Sequence, residues 1–236
     1  MKLAVDLHIH TALSPCGDEA MTPNNIIGMS LLKGLDAIAI TDHNSVENCE
    51  ACLEIAHKKD IVVIPGMEVQ TKEEVHLICL FRDMASAFDF QSLIYERLTH
   101  KENLPQIFGR QLVFNVRDEI IKENTKMLIS SANISVNEVF DKMHKVKGVV
   151  IPAHVDKSVY SIIANLGFIP MDLAIKTLEI SKLCNVEQME KKYKNLNKYQ
   201  LIRNSDAHYL RDILERESFI EVKDKTIDSI LNALKC

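Results

Sequence analysis

Short apolar runs rich in valine and isoleucine alternate with helix-like segments along almost the whole of this chain. Eight of these runs are predicted to be strands, at residues 3–7, 36–40, 61–64, 75–81, 148–151, 177–180, 200–202 and 219–222. Several consist almost entirely of apolar residues, which is typical of strands buried on both faces of a sheet. Strands of this kind separated by helices predict an α/β fold with a parallel sheet.

Seven helices are predicted, over residues 22–33, 45–59, 86–98, 135–147, 159–165, 186–194 and 225–235. Their ends carry suitable residues: Pro23 at a first helical position, Ser45 and Ser135 as N-caps, and Gly34 and Gly148 after helix ends. For a chain of 236 residues, this alternation favours a closed barrel over an open doubly wound sheet.

Residues 82–133 are longer than one crossover connection needs, and they include a charged, helix-like stretch at 117–126. Because this region has no apolar core of its own, we interpret it as an insertion on the barrel. The prediction is therefore a single domain over residues 1–236, with the insertion at about 82–133.

Composition excludes several classes of protein. A net charge of -5 disfavours a general nucleic-acid coat or a polybasic membrane binder. The start of the chain resembles no signal peptide, and no run approaches the ~18 apolar residues of a membrane helix. A cytoplasmic protein with six reduced cysteines is expected, with its oligomeric state left open. Cys49 and Cys52 form a CxxC, which we place in the middle of a helix, whereas a redox motif belongs at a helix start.

Potential metal ligands stand at the ends of the apolar runs. His8 and His10 end the first run and share one face of a strand, because alternate residues point the same way. Asp42 and His43 follow the second run, and Glu68 follows the third.

The later runs repeat this pattern. His76 lies in or at the start of a strand, His154 follows the next run, and Asp206 and His208 repeat the spacing of the first pair. The C-terminal ends of parallel barrel strands meet on one face, where active sites are built. Six histidines and two carboxylates arriving there predict a metal centre rather than core packing. The other three histidines lie in helices or a polar segment and are interpreted as surface or structural residues: His57, His100 and His144.

The motifs DLHIH, ITDHN, PGMEV, PAHVD and NSDAH, with the separate His76, resemble in this order the polymerase and histidinol phosphatase (PHP) family. They span residues 6–208, which is nearly the whole chain. The resemblance implies a distorted (β/α)7 barrel that binds two or three divalent ions and hydrolyses phosphate esters.

The resemblance also implies how the ligands divide among the ions. One ion would be held by His8, His10, Glu68 and Asp206. A second would share Glu68 and add His76 and His154. A third would bind His43, His208 and one further ligand.

The further ligand is where this sequence departs from the family, whose members usually have Asp or His where this chain has Pro15 and Cys16. Asp18 is preferred to Cys16, because hard divalent ions that act on phosphate suit oxygen ligands. Glu19 is a third alternative.

Imidazole and carboxylate ligands suit Zn, Mn or Fe, and two or three such ions together form a clamp for phosphoryl transfer. The predicted reaction is hydrolysis of a phosphate monoester, a small metabolite or nucleotide, by a hydroxide that bridges two ions. Five ligands are predicted to be directly catalytic: His8, His10, Glu68, His154 and Asp206. Arg110 and Arg203 are candidates for binding the phosphate.

Three other functions stay open. They are a phosphodiesterase or exonuclease acting on oligonucleotide ends, an amidohydrolase-type metal hydrolase, and a barrel that uses its metals for structure or sensing. Asp6 and Asp42 each neighbour a histidine, so each could orient an imidazole ring or cap the turn that follows its strand.

Overall fold

The computed structural model describes residues 1–235, and the protein is an α/β fold around one curled six-stranded sheet. Cys236 lies outside the described residues. The strands of the described chain are β1 Lys2–Ile9, β2 Ala37–Ile40, β3 Val62–Gln70, β4 His76–Leu80, β5 Leu112–Phe114, β6 Ile120–Glu123, β7 Val149–Pro152, β8 Thr177–Ile180, β9 Gln200–Arg203 and β10 Phe219–Glu221.

Eight α-helices lie among these strands. They are α1 Pro23–Leu32, α2 Cys49–Ala56, α3 Met84–Arg97, α4 Pro105–Phe108, α5 Val136–Lys145, α6 Ile162–Leu166, α7 Val186–Lys192 and α8 Ile227–Lys235. Two predicted helix starts are confirmed: Pro23 opens α1, and Ser135 caps α5 in a capping box with Glu138. The predicted cap at Ser45 is wrong, since α2 begins at Cys49 and the Ser45 hydroxyl contacts Gln91 and Tyr95 instead.

The sequence predicts a parallel sheet, but the main sheet is mixed. Its order is β10-β1-β2-β3-β4-β7, in which β1, β2 and β3 are parallel, β4 is antiparallel to both neighbours, and β10 is antiparallel to β1. The physical reason at β4 is chain length. Residues 71–75 connect β3 to β4, and so short a link permits a hairpin but not a helical crossover.

A second, parallel pair formed by β8 and β9 brings the sheet towards closure. On one side the amide of Val155, just past β7, donates to the carbonyl of Glu179 in β8. On the other side Ile9 of β1 bridges to Ala207, just past β9. The fold is thus TIM-like and curled, as predicted, but the ladder is interrupted and two strands of the main sheet are antiparallel, so the predicted distorted (β/α)7 barrel is confirmed only in part.

Two apolar clusters divide the core. The inner one lies among the strands and includes Leu3, Val5 and Leu7 of β1, with α8 packed against it. The outer one lies between the strands and the helices, and it includes Ala4 and Ile9 of β1. Burying apolar surface on both faces contributes roughly 25 cal/mol per Å², which explains why these strands read as continuous apolar runs.

A bulge in β1 sets the direction of the first histidine pair. The pairing with β2 shifts by one residue between Asp6 and Ile9. Simple alternation would place His8 on the face opposite Leu7, but the extra residue changes the phase, so that His8 and His10 lie on the inner face. Bulges commonly redirect side chains near active sites.

The region predicted to be an insertion falls into two parts in the structure. Its first part is α3, which packs on the outer core through Phe90 and Ile94. The charged stretch predicted to be helical forms β6 in a hairpin with β5. This hairpin covers the segment after β1: Leu112 donates to the carbonyl of Ala12, and Asn48 bonds the backbone of Leu112 and Phe114.

Within residues 1–235, no helix combines the length and the apolar character needed to span a membrane.

Gly109 is a point of contact between the hairpin region and the segment after β1. A Cβ there would lie 2.0 Å from the carbonyl oxygen of Pro15, and φ is 101°. Gly109→Ala should therefore lower the free energy of unfolding by about 1–3 kcal/mol more than backbone strain alone, because overpacking adds to the strain. Urea unfolding followed by circular dichroism measures this loss.

Gly167→Ala is the matched control, since Gly167 has a φ of 83° and a Cβ added there would meet no atom within 4 Å. It should cost about 1–2 kcal/mol from backbone strain. Equal losses in the two variants would show that the Gly109–Pro15 contact does not restrict the hairpin.

Candidate metal centre

Side chains from the ends of the strands converge into one cluster at a single edge of the curled sheet. Eight of the nine predicted metal ligands belong to it: His8, His10, His43, Glu68, His76, His154, Asp206 and His208. β4 runs antiparallel to β3, so the first residue of β4, His76, lies at the edge of the sheet where β3 ends. Glu68 lies inside β3 rather than after it, because β3 extends to Gln70.

The first predicted ligand set is assembled at hydrogen-bonding distances. The Nε2 atoms of His8 and His10 are 3.1 Å apart. The Oδ1 atom of Asp206 lies 3.5 Å from His8 Nε2 and 3.2 Å from His10 Nε2. Glu68 approaches the same two nitrogens at 3.3 and 3.5 Å. Two facing imidazole nitrogens beside two carboxylates form a donor set that suits a divalent cation.

Glu68 is the common partner of the whole cluster. Its carboxylate oxygens lie 2.8 Å from Nδ1 of His76, 2.9 Å from Nδ1 of His43 and 3.3 Å from Nε2 of His154. Burial raises the pKa of this carboxyl, but the surrounding imidazoles, His76 first and then His8 and His43, outweigh burial and hold the pKa well below its usual range. Glu68 is therefore a buried carboxylate anion.

A third group of donors adjoins the first two. The ring nitrogens of His10, His43 and His208 lie within 4.8 Å of one another. The structure brings Cys16 to this group, with its Sγ atom 3.1 Å from Nε2 of His208. The preferred ligand Asp18 is exposed, and its carboxylate accepts the amide of Ala20.

Several buried nitrogen and oxygen atoms of the cluster have no hydrogen-bond partner. They are Nδ1 of His43, Oε2 of Glu68, Nε2 of His76 and Nδ1 of His154. The first two of these atoms lie 2.9 Å apart, but they are not aligned as a hydrogen bond. Buried polar atoms in proteins are nearly always paired, so a concentration of unpaired ones in one cluster indicates that another group completes it. Imidazole nitrogens and carboxylate oxygens at this spacing fit divalent metal ions.

Two residues that were not predicted from the sequence hold the first histidine pair in place. Glu179 in β8 lies 3.0 Å from Nδ1 of His8, and Ser14 lies 2.9 Å from Nδ1 of His10. Each contact engages one ring nitrogen and directs the other, Nε2, into the cluster, as is usual for metal-binding histidines. A glutamate in the otherwise apolar run TLEI was the signal for Glu179.

The two aspartates beside the histidines differ in role. Asp42 accepts the hydroxyl of Ser14, so it orients His10 through that serine while also accepting the amide of Thr11. Asp6 accepts the backbone amides of Ser205 and Leu214 and thereby joins β1 to the segment after β9. Asp6 is thus a structural partner of the backbone, not of an imidazole.

Three turns beside the cluster contain non-glycine residues with positive φ. They are Asn44 at 51°, His154 at 31° and Asp206 at 53°. Such conformations cost on the order of 1–3 kcal/mol each and are found where the surroundings hold them, often at functional sites. Here they turn two predicted ligands towards the other strand ends.

Neither predicted phosphate-binding arginine contacts the cluster. Arg203 donates to the carbonyls of Ser181, Lys182 and Cys184, so its guanidinium connects the end of β9 to the loop between β8 and α7. Arg110 is exposed and pairs with Glu123 and, at 3.6 Å, with Glu19. Both were predicted from their positions along the chain, which do not reveal these partners.

Lys157, which was not predicted from the sequence, places a cation at the cluster. Its Nζ atom lies 2.5 Å from Oδ2 of Asp206, and its side chain is half-buried. Burial lowers the pKa of Lys157, but the carboxylate of Asp206 outweighs burial and raises it, so the ammonium stays charged.

The histidines and the CxxC motif that were not assigned to the metal centre lie away from it. The three histidines outside the set are exposed at the end of α2, on α5 and in the loop after α3: His57, His144 and His100. The CxxC does stand at a helix start, contrary to the prediction, because α2 begins at Cys49. Both thiols are fully buried, and burial raises the pKa of each, so they stay protonated. The five described cysteines are free.

An α/β barrel-like fold with clustered histidines and carboxylates at one strand edge defines the class of metal-dependent hydrolases. The sequence profile of the PHP domain matches residues 6–224. The chain therefore belongs to the PHP domain family. Its sequence is 32% identical over 79 residues to the uncharacterised protein MJ1587 of Methanocaldococcus jannaschii, a match that covers 30% of this chain and 46% of that protein.

Two solved structures share the fold over nearly the whole chain. The lesion-specific endonuclease Q of Pyrococcus furiosus has a TM-score of 0.71 and 22% identity, covering 100% of this chain and 56% of its own. A protein of Bifidobacterium adolescentis described as a metal-dependent phosphoesterase has a TM-score of 0.65 and 18% identity, covering 97% and 96%. The chain thus spans about half the length of MJ1587 and of endonuclease Q. At these identities, the structural likeness shows the fold alone.

Glu179 offers a test of how the metal centre is held. Glu179→Gln should weaken metal binding about 10–100-fold, because loss of the carboxylate leaves the His8 ring less basic and less firmly oriented. Titration of the metal-free protein with Zn²⁺, followed by calorimetry, measures this. Glu187→Gln, on exposed α7, should bind as the wild type does; equal affinities in all three proteins would remove Glu179 from the centre.

Proposed function

We propose that the protein is a metal-dependent phosphoesterase that hydrolyses a phosphate monoester, a small phosphorylated metabolite or nucleotide. The observation that carries this proposal is the convergence of two donor sets on one buried carboxylate, Glu68. Adjacent divalent ions that share a carboxylate are a recurring arrangement in phosphate hydrolysis.

Each residue of the centre has a distinct part in the proposal. His8, His10 and Asp206 would hold one ion with Glu68, and His76 and His154 would hold a second with the same carboxylate. Zn, Mn or Fe bound there would lower the pKa of a coordinated water and neutralise charge on the phosphate. Glu179 and Ser14 keep the rings of the first pair in the binding orientation.

Lys157 is proposed as the phosphate-binding cation in place of the two arginines. Its ammonium group lies against Asp206 at the edge of the cluster, where a phosphate bound at the ions would be within reach. An ammonium hydrogen bond to a phosphate oxygen is charge-assisted and about twice as strong as a neutral one. We expect Lys157 to hold a non-bridging oxygen as negative charge develops on the phosphate.

The charge of residues 99–133, the part of the predicted insertion that follows α3, favours a small substrate. Residues 99–133 contain five lysines and arginines against four aspartates and glutamates. Three of these cations are paired with carboxylates: Arg110 with Glu123, Arg117 with Glu119, and Lys122 with Glu47. A long polynucleotide needs a row of unpaired cations, because its affinity depends on phosphate neutralisation.

Cleavage of a phosphodiester in damaged DNA is the second candidate, and the likeness to endonuclease Q over the full chain favours it. A screen of phosphorylated metabolites beside a duplex that contains a damaged base separates the two. Metal analysis of the same preparation identifies the ion. Nicking of the duplex with no release of phosphate from any monoester would favour the second candidate.

The metal ligands give the primary test of function. His8→Ala and Glu68→Ala should each abolish metal-dependent release of p-nitrophenol from p-nitrophenyl phosphate, since each removes a donor from the shared centre. Circular dichroism should show a folded protein in both cases. His57→Ala, which changes an exposed histidine at the end of α2, should retain full activity. Turnover by the Glu68→Ala protein would rule out the proposed site.

Lys157 gives a test of substrate binding. Lys157→Met should lower kcat/KM about 10–100-fold, a loss of roughly 1.4–2.7 kcal/mol of transition-state stabilisation. Lys157→Arg should restore part of it, because arginine also donates to phosphate. Lys58→Met, an exposed lysine beyond α2, is the control. Steady-state kinetics are measured together with the metal content of each protein. A Lys157→Met protein that loses activity because it has lost metal would contradict a direct role of Lys157 in binding phosphate.

A further inference from the structure

The loop after β1 presents a cysteine to the metal centre where an oxygen ligand was expected. Cys16 is solvent-exposed, and its Sγ atom lies 3.1 Å from Nε2 of His208.

The imidazoles at this position form a donor group that does not depend on the cysteine. His10, His43 and His208 converge within 4.8 Å, and the ring of His43 is buried. The ring of His208 is held from behind by the carbonyl of Asp206, which contacts its Nδ1 at 2.9 Å and directs Nε2 towards Cys16. The thiol therefore adjoins a group of nitrogens already arranged for an ion.

The backbone of the loop prevents the alternatives from replacing Cys16. The amide of Gly17 donates to the carbonyl of Ser14, and the amide of Asp18 donates to the carbonyl of His208. A Cβ on Gly17 would lie 2.5 Å from the carbonyl oxygen of Thr11, so the turn is tight. The carboxylate of Asp18 accepts the amide of Ala20, and Glu19 faces Arg110.

We propose that Cys16, together with His43 and His208, binds one metal ion through its thiolate, and that this position selects zinc over harder ions such as manganese. Thiolates and imidazoles favour Zn²⁺, whereas carboxylates suit Mn²⁺ and Mg²⁺. An all-oxygen or oxygen–nitrogen site would accept either class. The substitution of sulfur for oxygen would thus distinguish this position from the two sites that share Glu68.

This inference rests on the proposed metal centre, but its test requires no turnover. Co²⁺ is the probe, because cobalt bound to a thiolate has a charge-transfer absorption in the near ultraviolet that nitrogen and oxygen ligands do not produce. Metal-free protein would be titrated with Co²⁺, with the absorption and the bound equivalents recorded together. The wild type should show the band, and Cys16→Ala should lose it together with about one equivalent of metal.

Two further variants complete the experiment. Cys16→Asp should regain the lost equivalent without the band and should bind Mn²⁺ at this position better than the wild type does. Cys184→Ala, a half-buried cysteine on the loop before α7, should keep both the band and the metal count.

A band that survives in Cys16→Ala, or an unchanged metal count there, would overturn the inference. Loss of one equivalent in Asp18→Ala, with Cys16→Ala unaffected, would assign the ligand to Asp18 instead. The absorption band and the metal count do not depend on whether the protein hydrolyses a phosphate ester. A failure of the proposed phosphoesterase function would therefore be recognised separately.

Discussion

The buried carboxylate of Glu68 is the contact around which the rest of the structure is arranged. Two imidazoles approach its oxygens within 3 Å, and three further imidazoles lie at 3.3–3.5 Å. An unpaired buried carboxylate costs several kcal/mol, so the site is stable only when all these partners are in place. They come from β1, β4 and the turns after β2 and β7, which means that the strands must meet correctly before Glu68 is compensated. Bound cations would offset the remaining unpaired donor atoms, which ties metal binding to the integrity of the fold.

Two departures from regular strand geometry make that meeting possible. The bulge in β1 places His8 and His10 on the inner face. Without it, regular alternation after Leu7 would place His8 on the outer face. The antiparallel direction of β4 places His76 at the same edge as Glu68, although His76 begins its strand rather than ending it. Both departures can persist because the apolar clusters on the two faces of the sheet anchor these strands independently of the site.

The rim of the centre is built by segments with little regular structure. The β5–β6 hairpin and Gly109 press on the segment after β1, and the tight turn at Gly17 then presents Cys16 to His208. On the opposite side, the loop after β7 carries Lys157 to Asp206. The residues proposed to bind phosphate and to select the metal therefore lie on loops, which is where barrel-like enzymes generally carry such residues.

The sequence by itself determined the α/β class, the positions of most strands, and eight of the side chains that meet in the cluster, because apolar runs and the residues at their ends are local features. It also identified the family, since several motifs occur in a set order. It could not determine the direction of β4 or the phase of β1. Nor could it show that Cys16 rather than Asp18 or Glu19 lies against His208, or that Lys157 rather than Arg110 or Arg203 contacts the cluster. Each of those depends on which backbone atoms and side chains approach from distant parts of the chain. Arg203 shows the reason most simply: its guanidinium is occupied by three carbonyls from another loop, and only the folded chain brings them to it.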